Sequence, residues 1–300
     1  MNEIQVAILK TIIYYDFFNY PLTLIEMYKY LNLSENGANL RQIKANLANL
    51  KQIEEKQGFY FLIGRNEIIE TRKLNYRLSL RKLRKAKRVI CLLSKIPYIK
   101  AIYIGSSLGY LNARDESDID LLIITSRNRI WSARFVAAGI LKIFNLRPKP
   151  NNTKDKFCLS YFITEDNLNL ASTKINDEDI HLKYLLINYL PIYSENDLWE
   201  KFNYENKWLS KQFKNLYPNY LIDKFTIKPR CLRIKMFLNN IHLEKLVKHF
   251  QLKIMPKLLK EMMNKDNRVI INDAILKLHS NDKREEIYNK WKKQCQRIIS

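Results

Sequence analysis

A segment with two apolar stretches separated by a polar loop, residues 101–125, constrains this chain more than any other. Its second stretch opens with Asp118-Ile119-Asp120. Because successive side chains of a strand alternate between its faces, the two aspartates point the same way and Ile119 points into the core. Carboxylates held so close repel each other unless a cation lies between them, and hard oxygen ligands favour Mg²⁺ over zinc. The pattern therefore predicts a Mg²⁺ site beside bound phosphate.

The first apolar stretch ends in a small-residue loop that complements the aspartates. Gly105 has no Cβ, so a phosphate can approach the main chain, and the amides and hydroxyl that follow, beginning with Ser106, can donate to anionic oxygens. Ser107 and Ser117 are further candidates for nucleotide binding. We therefore expect a polyphosphate to lie between this loop and the metal.

An apolar strand, Gly-Ser, a short spacer and Ser-Asp-Ile-Asp-Leu together resemble the nucleotidyltransferase superfamily with the DNA polymerase β type palm. The resemblance implies that Gly105 and Ser106 hold the phosphates of a nucleoside triphosphate. It also implies that Asp118 and Asp120 are catalytic and bind Mg²⁺, with a two-metal site as one form. A nucleoside monophosphate would be transferred to a hydroxyl or phosphate of a small molecule, RNA or protein, and the sequence leaves both the nucleotide and the acceptor open.

Nearly the whole chain is similar in pattern to bacterial nucleotidyltransferase-domain proteins with a winged-helix-like N-terminal segment; the similar phrases include residues 16–23 and 117–125. Together with hydrophobic periodicity, this predicts an α/β (α+β) fold in four segments. These are a winged-helix-like domain (1–70), a basic connecting helix (71–94), a small mixed-sheet nucleotidyltransferase core (95–195) and a helical C-terminal region (196–300).

A third carboxylate, which active members of the superfamily usually place on a neighbouring strand, has no obvious counterpart. The candidate strand, residues 156–163, contains no acid. Asp155 precedes the strand, Glu165 and Asp166 follow it, and Ser160 lies within it, so these alternatives stay open. Because the third carboxylate has no clear counterpart, a second function also stays open. The chain would then be a weakly active or inactive nucleotide-binding or regulatory protein that acts through its winged helix on DNA or a protein partner.

The net charge of +22 and the isoelectric point near 9.7 favour an anionic partner, such as nucleic acid or a phosphorylated substrate. Abundant Lys, Asn, Ile and Tyr offer a second explanation, the composition that an AT-rich genome imposes. The basic helix is accordingly either a solvated face or an electrostatic wall that attracts a triphosphate or RNA. Three arginines after the second strand are further candidates for triphosphate contacts: Arg127, Arg129 and Arg134.

The third helix of the winged-helix-like domain supplies the candidates for a DNA-reading surface, Arg41, Gln42, Lys44 and Lys51. Because few bases lie there, we favour a protein-docking or substrate-organising role for this domain. No apolar run approaches the roughly 20 residues of a membrane span, and the N-terminus lacks a signal-peptide pattern. We therefore expect a cytoplasmic protein with no membrane partner, and the scattered cysteines do not suggest zinc or disulfides.

Overall fold

The structure, a computed structural model, describes residues 1–33, 37–216, 222–227 and 241–299. Its N-terminal part consists of three helices and a three-stranded antiparallel sheet of order β1-β3-β2. Capping boxes at Asn2, Thr23 and Asn39 start the three helices, since each side chain accepts the backbone N–H three residues on. Three helices and a hairpin thus lie within residues 1–70, the segment for which a winged-helix-like domain was predicted. The elements are α1 (Glu3–Asp16), β1 (Leu22–Thr23), α2 (Leu24–Tyr30), α3 (Leu40–Ala48), β2 (Ile53–Lys56) and β3 (Phe59–Leu62).

The central sheet has six strands in the order β7-β4-β5-β6-β9-β8, in which only β5 and β6 are parallel neighbours. The mixed sheet agrees with the predicted α/β class. The strand that contains Pro191 lies at an edge, where a residue without an N–H is tolerated. The strands are β4 (Ile99–Ile104), β5 (Ile119–Thr125), β6 (Phe157–Thr164), β7 (Leu190–Ser194), β8 (Val269–Ile271) and β9 (Ile275–Leu278).

The hairpin β8–β9 lies in residues 196–300, which the sequence predicts to be mostly helical with a short extended stretch at residues 268–272. Strand β9 pairs with β6, so this part of the chain completes the central sheet. Its residues are largely β-branched and apolar, which suits a strand, but each strand is too short for a clear period. The partner for the open edge of β6 therefore comes from a segment more than a hundred residues away in sequence.

Helices cover both faces of the central sheet. On one face α1, α7 and α12 pack on Tyr103 and Leu122, and on the other α4, α6 and α10 pack on Ile102 and Ile123. The remaining helices are α4 (Ile68–Leu93), α5 (Ser106–Gly109), α6 (Ile130–Ile143), α7 (Ile180–Ile187), α8 (Leu198–Glu205), α9 (Ile222–Phe225), α10 (Ile241–Ile254), α11 (Lys257–Met262) and α12 (Arg284–Ile299).

The first and last helices meet on the α1/α7/α12 face. The indole nitrogen of Trp291 in α12 donates to the carbonyl of Lys10 in α1, at 3.0 Å. The hydroxyl of Tyr30 donates to Asn188 after α7, at 2.6 Å. The N-terminal helices therefore form part of the wall above this face of the sheet.

Within the described ranges, the structure contains no helix long and apolar enough to cross a membrane. Cys91 is exposed, Cys158 is half-buried and Cys295 is buried, all three as free thiols, whereas Cys231 lies outside the described residues.

Candidate active site

The loop between β4 and β5 brings the small residues next to the aspartates. Gly105 donates its N–H to the carbonyl of Asp120 at 3.1 Å. A Cβ on Gly105 would lie 2.6 Å from the Tyr189 ring, so packing requires glycine here. Ser106 follows with a φ of +55°, a left-handed conformation that is costly for a residue with a side chain. This strained serine begins α5 with its side chain exposed toward the cleft.

Asp118 and Asp120 come together as strand alternation predicts, and a third ligand atom joins them. One carboxylate oxygen of each aspartate and the Cys158 sulfur all lie within 4.8 Å of one another. The cause is the parallel pairing of β5 with β6, which places Cys158 opposite Asp120. The buried Ile119 points to the other face of the sheet. Two carboxylates and one thiol therefore form the acidic group.

Burial raises the pKa of Asp120 to about 6, the charge of Asp118 adds to the rise, and hydrogen bonds from Ser106 and Cys158 oppose it. Burial also raises the pKa of Asp118, against its own backbone amide and the charge of Lys82. The pKa of the Cys158 thiol rises to about 12, through burial and then Asp120, so the thiol is neutral at pH 7. Within the described residues neither carboxylate forms an ion pair, and two buried carboxylates this close together are the arrangement that a bound cation relieves.

The strand position where an acid was expected holds Cys158, and the structure separates the four alternatives. Ser160 lies beside the group, since its hydroxyl is 3.2 Å from the Cys158 sulfur and 2.8 Å from Nε2 of His279. Glu165 and Asp166 follow the opposite end of β6, where Asp166 pairs with Arg127 at 3.3 Å. These two acids are therefore remote from the aspartates.

Asp155 serves the fold through an ion pair with Lys82, whose side chain is fully buried. The Lys82 ammonium donates to Asp155 at 2.7 Å, to the carbonyl of Ser117 at 2.7 Å and to that of Asp115 at 2.9 Å. A buried charge needs such complete compensation. Helix α4 thereby fixes the loop that leads directly into Asp118.

Two cavities, of about 490 and 320 Å³, adjoin at Asp120, and Asp118 lines the larger one. Ser106, Asp120 and Lys283 line both of them. The larger cavity contains most of the predicted nucleotide-binding residues, and Gly105 borders the smaller one. Predicted residues on the larger cavity are Ser106, Ser107, Ser117, Asp118 and Asp120.

Aromatic side chains from the N-terminal helices form one wall of the larger cavity. Tyr14 stacks on Tyr184 of α7 with ring centroids 4.2 Å apart, and its hydroxyl is 2.9 Å from Nδ1 of His181. Phe17 and Phe18 continue this wall. By contrast, Gln42 of α3 is used to cap its own helix. The N-terminal segment therefore contributes to the cleft through α1.

The cations beside the aspartates differ from those that the sequence suggested. Arg127 and Arg129 come after β5, at the end of the strand opposite Asp118, and Arg134 bonds Gln251 on the far face. None of these three described residues lines either cavity. Lys283 borders both cavities, and within the described residues it makes no ion pair. Only its place before the last helix could have suggested it.

A second charged group borders the smaller cavity and is fully paired. Arg284 contacts Asp179 at 2.7 Å and Asp282 at 2.9 Å, and Lys277 contacts Asp282 at 2.9 Å. All four side chains are nearly inaccessible to solvent. This buried group ties α7, β9 and α12 together.

Comparisons with protein-family models, with curated proteins and with solved structures found no significant match to this chain.

Proposed function

We propose that the protein is a Mg²⁺-dependent nucleotidyltransferase, which transfers a nucleoside monophosphate from a nucleoside triphosphate to a hydroxyl or phosphate acceptor. The observation that carries the proposal is the position of Asp120 at the junction of two cavities, with Asp118 beside it in the larger one. A transfer reaction needs room for a donor and an acceptor on either side of the reacting atoms. The resemblance of the sequence motif to the nucleotidyltransferase superfamily adds support. The fold that corresponds to the proposal is a nucleotidyltransferase core with a winged-helix-like N-terminal domain.

The donor set fits a hard divalent cation. Asp118 and Asp120 offer oxygen ligands, and burial of these carboxylates without a cation partner raises their pKa values. Bound there, one or two Mg²⁺ ions would supply charge stabilisation to the phosphates at both ends of the transfer.

The residues of the chain itself position the substrates. Ser106 lines both cavities, so its hydroxyl and the amides that follow Gly105 would donate to the anionic oxygens of the phosphates. Lys283, which forms no ion pair within the described residues, lies at the junction of the cavities. In the reaction, an acceptor oxygen forms a bond to the α-phosphorus, and the bond from that phosphorus to the bridging oxygen breaks. Pyrophosphate leaves, and a hydroxyl acceptor releases its proton to solvent. The loop therefore contributes orientation and electrostatic stabilisation.

Cys158 favours a second candidate, a nucleotide-binding or regulatory protein with weak or no catalysis. A neutral thiol occupies the place of the expected third acid, so the site has less negative charge for a second metal ion. Such a protein would act through its winged-helix-like domain on DNA or a protein partner.

The deciding experiment incubates the protein with each α-³²P nucleoside triphosphate and Mg²⁺, alone and with cell extract. We expect labelled product and pyrophosphate, and at least about a 10³-fold loss in an Asp118→Asn, Asp120→Asn double variant. Nucleotide binding by a wild-type protein that transfers no label would instead establish the second candidate.

Lys283 provides a finer test of the same cleft. Lys283→Gln should raise KM for the nucleoside triphosphate about tenfold, because it removes a charge at the junction of the cavities. Lys293→Gln is the matched control, since it removes an exposed lysine that lies on α12, the helix that follows Lys283, and borders neither cavity. An equal change in both variants would show that net charge alone is responsible.

A further inference from the structure

Helix α4 presents a row of arginines to solvent on the side opposite its buried residues. Arg77, Arg81, Arg84 and Arg88 are exposed, and their spacing of three or four residues places them along one side of the helix. With a rise of 1.5 Å per residue, the row is about 16 Å long. It is therefore longer than the contact that a single triphosphate would make.

The row is costly for an isolated helix. Like charges three and four residues apart destabilise a helix, and solvated helices usually intersperse acids among their bases. No aspartate or glutamate occurs between Thr71 and Leu93. Within the described residues, Arg77, Arg84 and Arg88 form no ion pair, whereas Arg81 pairs with Asp115 at 2.7 Å. An anionic partner would relieve this repulsion.

Genome composition explains this row poorly. Lysines outnumber arginines about two to one in the whole chain, whereas α4 contains five arginines and four lysines, and four of the arginines lie in the row. Arginine differs from lysine in its planar fork of donors, which can bind a phosphate through two hydrogen bonds and stack on a base. The choice of residue indicates phosphate and base contacts.

One member of the row reaches the loop that leads to the aspartates. Arg81 donates to Asp115, three residues before Asp118, whereas Thr71 and Asn75, which line the larger cavity, lie on another side of the helix. The cavity also offers half-exposed Phe17 and other rings for base stacking. The apolar side of α4 is buried against the sheet, so the helix has no free apolar face for insertion into a membrane.

We propose that the arginine row of α4 binds the phosphates of a single-stranded nucleic acid and guides the end of that strand to Asp118 and Asp120 as the acceptor. The choice of acceptor rests on the proposed nucleotidyl transfer, whereas strand binding does not.

The test measures fluorescence anisotropy of labelled single strands of about 15 nucleotides, as RNA and as DNA, with the full chain. We expect binding to the wild type, and at least about a tenfold weaker affinity for an Arg77→Gln, Arg84→Gln, Arg88→Gln variant. The slope of log affinity against log salt should fall by about 2, the value for three lost phosphate contacts on a single strand. Stronger binding of RNA or of DNA identifies the kind of strand.

Two matched variants make the result specific. Lys142→Gln, Lys245→Gln, Lys253→Gln removes three exposed charges from α6 and α10 and should change the affinity less than about twofold. Replacing the three arginines by lysine keeps the charge and should recover part of the binding. Circular dichroism verifies that every variant is folded.

Equal losses in the two charge-removing variants would overturn the inference, and so would the absence of strand binding. Binding of the row to anionic phosphatidylserine vesicles but to no strand would assign the surface to membranes instead. The Asp118→Asn, Asp120→Asn variant separates the two proposals, since it should bind the strand and transfer no nucleotide. Transfer by a wild type that binds no strand would leave the proposed function intact and refute this one.

Discussion

Two pairs of carboxylates lie beside the cleft, and their surroundings differ. Asp179 and Asp282 are bonded to Arg284 and Lys277, whereas Asp118 and Asp120 have no ion pair within the described residues. Burial by itself raises the pKa of Asp282, but Lys277 and Arg284 outweigh it and lower the pKa to about 2. The pKa of Asp120 instead rises to about 6. The paired carboxylates stabilise the fold, and the unpaired ones cost stability until a ligand compensates them.

Arg284→Met should produce the largest change, because it leaves Asp179 and Asp282 buried without their shared cation. We expect the free energy of unfolding to fall by about 3–5 kcal/mol, measured by urea denaturation. The control is Arg268→Met, which removes an exposed partner of Asp266 and should cost far less, because water screens an exposed ion pair. Similar losses in both variants would contradict the structural role of the buried group.

Asp120→Asn should have the opposite effect and raise the free energy of unfolding. A carboxyl whose pKa is raised on folding contributes stability that is present below its unfolded value and is lost as pH rises through about 6. In EDTA at pH 7, the free energy of unfolding of the variant should therefore exceed that of the wild type by about 1–3 kcal/mol. This difference should disappear near pH 4. Added Mg²⁺ should stabilise only the wild type.

Asp282→Asn is the matched control for this sign, since it removes an acid whose pKa is lowered and should destabilise the protein at pH 7. If Asp120→Asn also destabilises the protein, the two pairs of carboxylates are energetically alike and the comparison fails.

Cys158→Asp tests the position where the sequence lacks an acid. An added carboxylate should tighten Mg²⁺ binding about tenfold in calorimetry, because it adds an oxygen ligand and a negative charge beside Asp118 and Asp120. The protein without metal should become less stable, since three like charges would share one site. Cys158→Asn has the same size without the charge, and an equal effect on Mg²⁺ binding would refute the electrostatic explanation.

The aspartates could be found from the sequence because their relation is local. Alternation along one strand places Asp118 and Asp120 on one face, and capping boxes likewise predict where helices begin. Arg127 and Arg129 are near the aspartates in sequence but not in space. Strand β5 is 7 residues long, so its two ends are about 20 Å apart.

The remaining site residues depend on tertiary pairing. Cys158 reaches the aspartates through the parallel pairing of β5 with β6, and Lys283 through the packing of α12 over the sheet. A register shift between the two strands decides which residue of β6 faces Asp120. Hydrophobic periodicity within each strand does not reveal such a shift. The sequence therefore predicted the two aspartates that lie together, but not their neighbours from elsewhere in the chain.

His181→Gln should give the smallest effect. Burial lowers the pKa of His181 to about 4, so the folded protein keeps the ring neutral and hydrogen-bonded to Tyr14. The unfolded ring binds a proton near pH 6.5, which the folded ring does not do until about pH 4. The stability lost by keeping the folded ring neutral therefore grows as the pH falls from 6.5 toward 4. We expect about 1–2 kcal/mol less acid destabilisation in the variant, measured by urea denaturation across this range, because the ring borders the cavity and keeps some access to water. The exposed His249 on α10 supplies the control His249→Gln, whose curve should parallel the wild type. If the stability of His181→Gln instead varies with pH as that of the wild type does, groups other than His181 cause the acid sensitivity of the cleft.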